Sequence, residues 1–450
     1  YTISTNPNDF AGGTGTETDP YQISSAIHLN NLRNCLGDNY QNTYFKLMND
    51  IDLNINPFNS GEGWLPIGTY VSNNNNSTFF MGKIDGNGKK ITGLYINRSS
   101  AEYQGLFGYT KNAQISNLIL EISSIKGFSK IGGLIATANN TMLDNIGIKG
   151  DIISPNTIYI GSLAAIIRNS NILNCYYVSN IKGNSTIGGL IGQASEVILT
   201  NCYTTGSVTG NSNIGGLVGY AFSNNSNSTF SNSFSTNKVI GIDKVGGLVG
   251  AGYNLNCENV YSSGSVIGNE YTGGLIGFLT GTNNIVNSYW DTQNSGQSNS
   301  AGGTGKTTSL MKTQSTYNTW DFNLVWNIDN SHYINNGYPY IRLLPLPVYI
   351  ETCNTPTFSL LEGTYNNAQV MTISCTTPGV NIRYTTDGTD PTENSTLYTS
   401  QLNIASNMTV KAIAFKTGYN PSNIVTASYI ILNISGFAGG NGTDANPYQI

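Results

Sequence analysis

A short glycine phrase that returns along the middle of the chain constrains the fold more than any other feature. Close copies of Gly-Gly-Leu followed by Ile or Val begin at Gly132, Gly188, Gly215, Gly246 and Gly273. A leading copy at Gly105 and a weaker one at Gly161 complete a series whose first glycines fall 27 to 31 residues apart. A period of this length is typical of a solenoid or an array of stacked repeats.

Other residue types recur in step with the glycines. An asparagine returns at Asn117, Asn145, Asn174, Asn201, Asn232, Asn259 and Asn287. Two positions after the later asparagines stands an aromatic residue: Tyr176, Tyr203, Phe234, Tyr261 and Tyr289. Because several columns keep the same register, we expect coils that lie directly on one another.

The composition of one repeat favours strands over helices. A unit of about 28 residues, rich in Val, Ile, Tyr and Thr with Gly and Asn between them, is too short for a helix pair. We therefore predict an all-β fold with a parallel β-solenoid, whose coils lie about 4.8 Å apart and whose asparagine amides form ladders. Glycine serves either where the backbone needs positive φ or where a neighbouring column leaves no room for Cβ.

Such coils depend on one another and need closed ends. Each buried aliphatic side chain contributes about 1.5–3 kcal/mol, whereas ordering each residue costs about 1–2 kcal/mol, so one coil cannot fold alone. Both ends must therefore be capped against edge pairing. Leu134 and Ile135 leave two alternatives open, because adjacent apolar residues imply either a bend or a strand that is covered on both faces.

Candidate caps stand on either side of the repeats. Residues 10–23 lead into a predicted amphipathic helix over 24–33, capped by serine, in which Ile27, Leu29 and Leu32 form an apolar stripe over the first coil. At the other end, the aromatic residues crowded into 308–344 predict a lid over the final coil.

Changes in pattern divide the chain into segments. We predict an N-terminal helical cap with irregular coils (1–100), the repeat solenoid (101–290), a C-terminal cap and linker (291–348), a small antiparallel Ig-like β-sandwich (349–434) and the start of a next unit (435–450). Residues 437–450 repeat residues 10–23. This recurrence predicts a tandem array of solenoid and sandwich units, of which the chain is a mature or excised piece.

Charge limits the classes of partner. Only 10% of the residues are charged, against about 25% in ordinary soluble proteins, and the formal net charge is −5. We therefore expect neither nucleic acid nor an anionic membrane surface as a partner. No apolar run approaches the ~18 residues of a membrane span, so no membrane insertion is expected within these residues.

Cysteine usage does not indicate a disulfide framework. Cys175 and Cys202 share a column in adjacent coils, where the spacing of about 4.8 Å exceeds the ~3.8 Å between Cβ atoms of a disulfide. We expect these two to be reduced thiols in the core. For Cys353 and Cys375, a disulfide and free thiols remain equally open.

Two resemblances follow from these motifs. The Gly-Gly-Leu-Val-Gly phrase, with Asn201-Cys202-Tyr203 and Gly206-Ser207-Val208, resembles the GLUG-motif repeats of large bacterial surface proteins, among them adhesins and the non-catalytic region of immunoglobulin A peptidases. Residues 356–430 are similar to the chitobiase/β-hexosaminidase C-terminal type of sandwich, which implies a non-catalytic extracellular spacer. Both resemblances imply fold more than activity.

Few residues qualify for catalysis or for ligand binding. Residues 300–307 look like a phosphate-binding loop, but Ser300 stands where the first glycine of that motif belongs, so a plain loop is expected. His28 and His332 lack the neighbours of a His-Glu-x-x-His zinc site, and His28 is expected to pack or hydrogen-bond at the cap.

The acidic residues give no predicted site either. Those that a groove on the solenoid would use fall, by this interpretation, in different columns together with one lysine: Glu196, Asp243, Lys244, Glu258 and Glu270. Residues 85–88 and 387–390 can hold calcium through oxygen atoms, although ordinary Asp-Gly turns fit the spacing better. We therefore assign no catalytic, cofactor-binding or metal residue and expect no enzyme.

Two functions follow as expectations. The first is a structural protein of the bacterial cell surface that builds a stalk, fibre or filament for display or adhesion, with neighbouring copies of the unit joined head to tail. The alternative is a non-catalytic, glycan-binding region of a modular secreted enzyme, with exposed aromatic residues in a groove. Besides neighbouring copies of the unit, host or environmental glycans or proteins are expected partners of the protein.

Overall fold

The chain folds as two compact units, Tyr1–Pro347 and Val348–Ile450. The computed structural model describes residues 9–70, 77–329, 334–345, 353–416, 421–432, 443–445 and 447. The first unit is a parallel β-solenoid of about nine turns and the second carries small antiparallel sheets, which confirms the predicted fold class. In the described ranges no helix has the length and apolar character to cross a membrane.

The stacked coils of the solenoid form two parallel β-sheets, each built from strands of successive coils. The seven-stranded sheet consists of Phe107–Lys111, Ile135–Asn139, Ala164–Arg168, Ile191–Ser195, Val218–Phe222, Val249–Tyr253 and Ile276–Thr280. The 25 described strands of the larger sheet are Tyr21–Ile23, Tyr44–Leu47, Ile51–Asp52, Lys83–Gln104, Gln114–Gly132, Met142–Lys149, Ile152–Ile153, Ile158–Gly161, Asn171–Leu173, Tyr176–Lys182, Ser185–Gly188, Ile198–Thr200, Tyr203–Thr209, Ser212–Gly215, Ser228–Ser231, Phe234–Ser235, Lys238–Ile240, Asp243–Gly246, Leu255–Glu258, Tyr261–Ser262, Val266–Ile267, Glu270–Gly273, Asn284–Val286, Tyr289–Asp291 and Thr304–Lys306.

Neighbouring coils superpose residue on residue. One column of the seven-stranded sheet runs through Phe107, Ile135, Ala164, Ile191, Val218, Val249 and Ile276. The Leu190 amide donates to the Leu217 carbonyl of the next coil at 2.9 Å, and both side chains are fully buried. The stacking predicted from the glycine period is thus confirmed.

The glycine phrase forms a bend that is too tight for a side chain. One strand ends at Gly132 and the next begins at Ile135, so the chain bends beside two buried apolar residues. A Cβ on Gly188 would lie 2.1 Å from the Ile191 carbonyl oxygen, and a Cβ on Gly189 would lie 2.2 Å from the Gly216 oxygen of the next coil. The phrase therefore needs glycine for lack of space, because its backbone does not have positive φ.

Asparagine supplies left-handed turns in the solenoid. The predicted column from Asn117 to Asn287 has φ between 46° and 55° at every member. Asn145 Nδ2 donates to Asn117 Oδ1 at 3.0 Å, and Asn201 Nδ2 donates to Asn174 Oδ1 at 3.1 Å. Asparagine tolerates this conformation because its short side chain bonds locally. The expected amide ladder is present in pairs of adjacent coils and is interrupted between them, since Asn174 Nδ2 donates to Asp144 Oδ1 instead.

Cys175 and Cys202 belong to another ladder, which they share with serine. The Cys175 amide donates to Cys202 Sγ at 3.4 Å, and the Cys202 amide donates to Ser233 Oγ at 3.0 Å. Burial raises the pKa of the Cys175 thiol well above its usual range. The prediction of reduced thiols is confirmed, and Cys353 and Cys375 are free thiols as well.

The N-terminal cap contains a shorter helix than predicted. Its helical turns are the α-helix Ala26–Asn30 and the 3₁₀ turns Asn31–Asn34 and Asp38–Tyr40. Ser25 caps the first helix by accepting from the amide of the third residue after it, as serine was expected to do. Leu29 and Leu32 join the solenoid core. The prediction for Ile27 is wrong: this side chain is 53% exposed, because the five-residue helix turns only one narrow face inward.

The aromatic segment after the last coil does not form the predicted lid. The segment formed by residues 307–329 and 334–345, here called the strap, runs back along the side of the solenoid. Trp320 Nε1 donates to the Asn287 carbonyl at 2.9 Å, and the Pro345 carbonyl accepts from the Tyr203 hydroxyl at 2.8 Å. The strap packs on the stacked rings of Tyr176, Tyr203, Phe234 and Tyr261, whose centroids lie 4.9 to 5.4 Å apart. A ladder of rings offers more apolar surface than the end of one coil.

Short elements shape the strap and the loop before it. The α-helices are Thr292–Ser295 and Thr308–Met311, the 3₁₀ turns are Gln314–Tyr317 and Asn335–Gly337, and the strands Trp326–Asn327 and Tyr340–Ile341 pair antiparallel.

The loop between the last coil and the strap closes the stack. Ser300 Oγ accepts from the Leu275 amide at 3.2 Å and from the Ile276 amide at 2.9 Å. In the preceding coil, the Leu248 amide donates instead to the carbonyl of Leu275 in the next coil. Ser300 thus replaces a missing coil, and the plain-loop interpretation of residues 300–307 is confirmed.

The second unit is a small β-domain. Its five-stranded sheet has the order Gly363–Tyr365, Val425–Ile431, Met408–Phe415, Asn381–Thr385 and Thr396–Leu397. Two further pairs join Thr357–Phe358 to Ile373–Ser374 and Gln369–Met371 to Leu402–Ile404. The pairing of Gly363–Tyr365 with Val425–Ile431 is parallel. Buried side chains such as Met371, Ile404 and Tyr429 form a separate core.

Candidate binding face

One row of the solenoid combines a left-handed backbone with aromatic, cationic and polar side chains. The row consists of the residue two positions before each first glycine: Tyr103, Lys130, Tyr159, Thr186, Asn213, Lys244 and Tyr271. All seven have positive φ, between 44° and 65°, so we call the set the left-handed row. The strand pairs on either side of each member keep the register, so the seven side chains follow one another from coil to coil.

The cations of the row lie against its aromatic rings. Lys130 Nζ stands 2.7 Å from Glu102 Oε2 and 4.5 Å from the centroid of the Tyr103 ring. Burial alone would lower the pKa of Lys130, but Glu102 and Tyr103 stabilise the ammonium, so its pKa is raised. Lys244 Nζ lies 5.9 Å from the centroid of the Tyr271 ring. Cation–π contacts of this kind stabilise ring and ammonium together.

Left-handed backbone is unfavourable for most members of the row. An L-residue with a Cβ loses about 1–2 kcal/mol in this conformation, and only asparagine and aspartate reduce that loss through local hydrogen bonds. Asn213 is the one asparagine of the row. Its presence shows that the backbone accepts asparagine there.

A polar cleft adjoins the last member of the row. It has a volume of about 500 Å³ and is lined by Gly268, Asn269, Tyr271, Thr272, Gly277, Gln297, Asn299, Ser300 and Ala301. The Tyr271 side chain is 56% exposed, and its ring packs edge-on against Phe278 at 4.9 Å between centroids. The cleft thus combines an exposed ring with amide and hydroxyl groups.

Other grooves on the solenoid are smaller in volume or more buried. A groove of about 240 Å³ crosses three coils and is lined by six amide side chains, one threonine and one methionine: Gln41, Asn112, Gln114, Asn140, Thr141, Met142, Asn169 and Asn171. A cleft of about 490 Å³ on the strap includes Tyr317, Trp320 and Phe322, but the first two rings are at most 5% exposed.

Asp243 and Glu270 lie in one column, so the prediction that they fall in different columns is wrong. The two residues are register partners in adjacent coils, because both stand three positions before a first glycine. Asp243 Oδ2 is held by Lys244 Nζ at 2.8 Å and by Ser212 Oγ at 3.0 Å. This carboxylate is therefore engaged in structure, whereas Glu270 is exposed.

The remaining acidic candidates do not converge. Glu196 Oε1 accepts from Asn225 Nδ2 at 3.0 Å, and Glu258 pairs with Val286 in another column. Over the described ranges, no group of three or more His, Cys, Asp and Glu side chains is arranged to hold a metal.

The two Asp-Gly stretches form turns. Asp85 Oδ1 accepts from the Asn87 amide at 2.8 Å and from Asn117 Nδ2 at 3.0 Å, which ties it to the asparagine ladder. Burial alone would raise the pKa of Asp85, but these hydrogen bonds and the nearby Lys46 lower it. Asp387 Oδ1 likewise accepts from the Thr389 amide at 3.0 Å.

The histidines give no catalytic arrangement. His28 Nδ1 accepts from the Ser24 amide at 3.3 Å, as expected for a residue of the cap. His332 lies outside the described residues.

A family model matches part of the second unit. Residues 360–426 match the family described as "Chitobiase/beta-hexosaminidase C-terminal domain". This segment has the fold expected from the sequence resemblance. The match covers most of the strands of the second unit.

Two named proteins resemble part of the chain. It is 34% identical over 194 residues to "Putative Gly-rich membrane protein" of Evansella cellulosilytica, a match that covers 41% of this chain and 21% of that protein. It is 31% identical over 150 residues to "Halomucin" of Haloquadratum walsbyi, covering 32% of this chain and 2% of that protein. The chain thus spans about a fifth or less of the length of these relatives.

One solved structure aligns with three quarters of the chain at a low TM-score. The crystal structure of "a putative immunoglobulin A1 protease from Bacteroides ovatus" aligns with a TM-score of 0.36 and 19% identity, over 75% of this chain and 96% of that one.

Sequence reasoning missed the left-handed row. Its members share no side-chain chemistry, so no column of like residues is visible. The signal that would have found it is the constant offset of two positions before each first glycine. The match of the chitobiase-type domain to residues 360–426 does not include the row.

Proposed function

We propose that the chain is part of an extracellular surface protein, in which repeated solenoid and sandwich units act as stiff spacers for display or adhesion. The observation that carries this proposal is a stack in continuous register, closed at its last coil by Ser300 and bound along its side by the strap. Such a body suits a mechanical role because every coil is hydrogen-bonded to its neighbours. On this proposal the repeats belong to the GLUG type.

The cap motif supports a tandem arrangement. In residues 10–23, Phe10 stacks on Tyr21 with centroids 4.9 Å apart, and the Ala11 amide donates to the Gln22 carbonyl at 2.9 Å. A Cβ on Gly13 would lie 2.0 Å from the Pro20 oxygen. Phe, Gly, Pro, Tyr and Gln recur at the matching places of 437–450, which lies almost wholly outside the described residues. The second copy is therefore suited to cap a following solenoid.

The names of the relatives support a surface location. One relative is named as a membrane protein rich in glycine and the other as Halomucin. We propose the same location for this chain, with neighbouring copies of the unit joined head to tail as its partners.

Electron microscopy of intact cells of the source organism tests this function. Gold-labelled antibodies against the solenoid should decorate projections outside the cell, with labels at a regular spacing. Labelling confined to the cytoplasm, or a complete reading frame with one copy of the unit, would contradict the proposal.

A second candidate function is a non-catalytic, glycan-binding region of a modular secreted enzyme. The cleft with an exposed Tyr271 ring and nearby amides favours it, because sugars present apolar C–H faces and hydroxyl groups together. Fluorescently labelled protein on a glycan array should bind a restricted set of glycans. An array without hits would contradict this candidate.

We also propose that the described residues carry no catalysis. Asp243 and Glu270 are the adjacent carboxylates of the solenoid, and Asp243 is held by Lys244. Polysaccharide cleavage by the purified chain that disappears in Glu270→Gln would contradict this statement.

A further inference from the structure

The left-handed row gathers the residues that least suit their backbone. Among the described residues other than glycine, 22 have positive φ, and 15 of them are asparagine. Of the seven others, six lie in the left-handed row: Tyr103, Lys130, Tyr159, Thr186, Lys244 and Tyr271. The asparagine column shows that the solenoid usually fills such positions with the residue that fits them.

Packing explains these side chains only in part: Thr186 is buried, and the rings of Tyr103 and Tyr271 contact Tyr70 and Phe278, but the row keeps exposed aromatic surface. Tyr271 is 56% exposed, and Tyr103 and Tyr159 are partly exposed. Asn213 occupies the same row, so asparagine is sterically acceptable there. Backbone strain that packing explains only in part is a mark of functional positions.

The charges of the row are balanced. Lys130 pairs with Glu102 at 2.7 Å and Lys244 pairs with Asp243 at 2.8 Å. An anionic ligand would have to compete with these carboxylates, so the row favours a ligand without charge. Its remaining groups are phenol rings, a hydroxyl and an amide.

The spacing suits an extended ligand. Successive members stand one coil apart, about 4.8 Å along the stack, and the row ends at the cleft lined by Tyr271, Asn269 and Asn299. A polymer with flat apolar faces and hydroxyl groups matches such a line of rings and amides.

We propose that the left-handed row binds an uncharged polysaccharide that lies along the solenoid axis. The rings of Tyr103, Tyr159 and Tyr271 stack on the C–H faces of sugar rings, and the amides of Asn213, Asn269 and Asn299 bond to hydroxyl groups. This inference rests on the second of the two functions proposed above, and it names the site and the ligand class.

Affinity electrophoresis of the full chain tests the proposal with named polymers. The uncharged probes are glucomannan, xyloglucan, arabinoxylan and dextran, and the charged control is alginate. The wild-type chain should be retarded by at least one uncharged polymer and not by alginate. The variant Tyr103→Asn/Tyr159→Asn/Tyr271→Asn should bind that polymer about tenfold more weakly or worse.

Stability separates binding from folding. The triple variant should show a higher Tm than the wild type, because relief of the left-handed backbone at three positions outweighs the lost ring contacts of Tyr103 and Tyr271. Glu196→Asn is the matched control, since Glu196 also has positive φ, at 56°, and lies outside the left-handed row, so the change relieves left-handed backbone without altering the proposed site. It should also raise the Tm and should leave retardation by the polymer unchanged.

The remaining outcomes overturn the proposal in distinguishable ways. If the triple variant binds as tightly as the wild type, the row is not the site and the glycan-binding function stands. If the wild type binds none of the uncharged polymers, both fail, while the spacer function is judged by microscopy. A lower Tm of the triple variant would show that the tyrosines stabilise the stack, and the inference would lose its basis.

Discussion

At the residue scale, four residue types hold the solenoid by three different physical means. Glycine fills places where a neighbouring carbonyl occupies the volume of Cβ, and asparagine supplies left-handed backbone and an amide ladder. Cysteine and serine share a column, in which Cys202 Sγ and Ser233 Oγ each accept a hydrogen bond from an amide of the preceding coil. Each residue type recurs because equivalent positions of successive coils have the same steric and hydrogen-bonding surroundings.

Gly188→Ala should destabilise the protein strongly. The new Cβ would lie 2.1 Å from the Ile191 oxygen and 2.7 Å from the Gly219 nitrogen, both backbone atoms that cannot move singly. We expect a loss of about 3 kcal/mol or more in the free energy of unfolding by urea. Gly183→Ala is the control, because its nearest neighbours are flexible methyl ends at 2.5 and 2.8 Å, and it should cost about 1 kcal/mol. Equal losses would contradict the steric explanation.

Asp85 should give the protein a pH-dependent contribution to stability. The pKa of this carboxyl is lowered from 3.8 in the folded state, so its contribution is present above the unfolded pKa and disappears as the pH falls through the folded pKa. Wild type should therefore exceed Asp85→Asn in stability near pH 7, and the difference should vanish near pH 2. Urea unfolding at both values measures it. A difference that persists at low pH would contradict the assignment.

At the element scale, the strap is the feature that separates this fold from a bare stack. Its hydrogen bonds reach several coils: Trp320 bonds to Asn287, Trp326 to Asn232, Tyr338 to Asp291 and Pro345 to Tyr203. Its contacts therefore close long loops, such as the 94 positions between Trp326 and Asn232. The strap couples coils that would otherwise open one at a time from the end.

Removing one hydroxyl should measure how much a hydrogen bond between the strap and the solenoid contributes to the free energy of unfolding. The Tyr203 hydroxyl donates to the Pro345 carbonyl at 2.8 Å, so Tyr203→Phe should cost about 0.5–1.5 kcal/mol. Tyr176→Phe is a matched control in the same ring ladder, because Tyr176 shares the apolar cluster with the strap, and among the described residues its hydroxyl donates no hydrogen bond to the strap. Thermal unfolding with both variants gives the comparison. Equal effects would show that the hydrogen bond contributes nothing.

Much of this element structure was visible in the sequence, and the reason is physical. Residues of one column contact the equivalent residues of adjacent coils, so the same residue types recur in the sequence. The asparagine and aromatic ladders and the positions of the glycine phrases were therefore predictable. The strap was not, because Trp326 and Asn232 meet only after folding and share no period. The column shared by Asp243 and Glu270 could have been predicted, because both stand three positions before a first glycine, but it was missed. The row from Tyr103 to Tyr271 was harder to recognise because its side chains differ in type.

At the scale of the whole molecule, the solenoid is a repeat structure whose parts should be exchangeable in units of one coil. Ile131 and Ile160 are register partners, so residues 131–159 make up one full coil. Stability in such a stack is a sum over coils and interfaces, provided that the register is kept.

Deleting residues 131–159 should leave a folded protein with a lower Tm. Lys130 would then precede Ile160, and each residue of the remaining coils would still contact the equivalent residue of the adjacent coil. Deleting 131–144 should abolish cooperative unfolding, because Asn145 would follow Lys130 and polar residues would enter the core. Circular dichroism during heating distinguishes the two. Equal behaviour of both deletions would contradict coil-by-coil assembly.

A crystal structure of the protein tests the central claim, superposed coils in register, most directly. The account predicts that the Leu190 amide lies within hydrogen-bonding distance of the Leu217 carbonyl, near 2.9 Å, with both leucines buried. Leu190 and Leu217 in separate, non-contacting strands would contradict it.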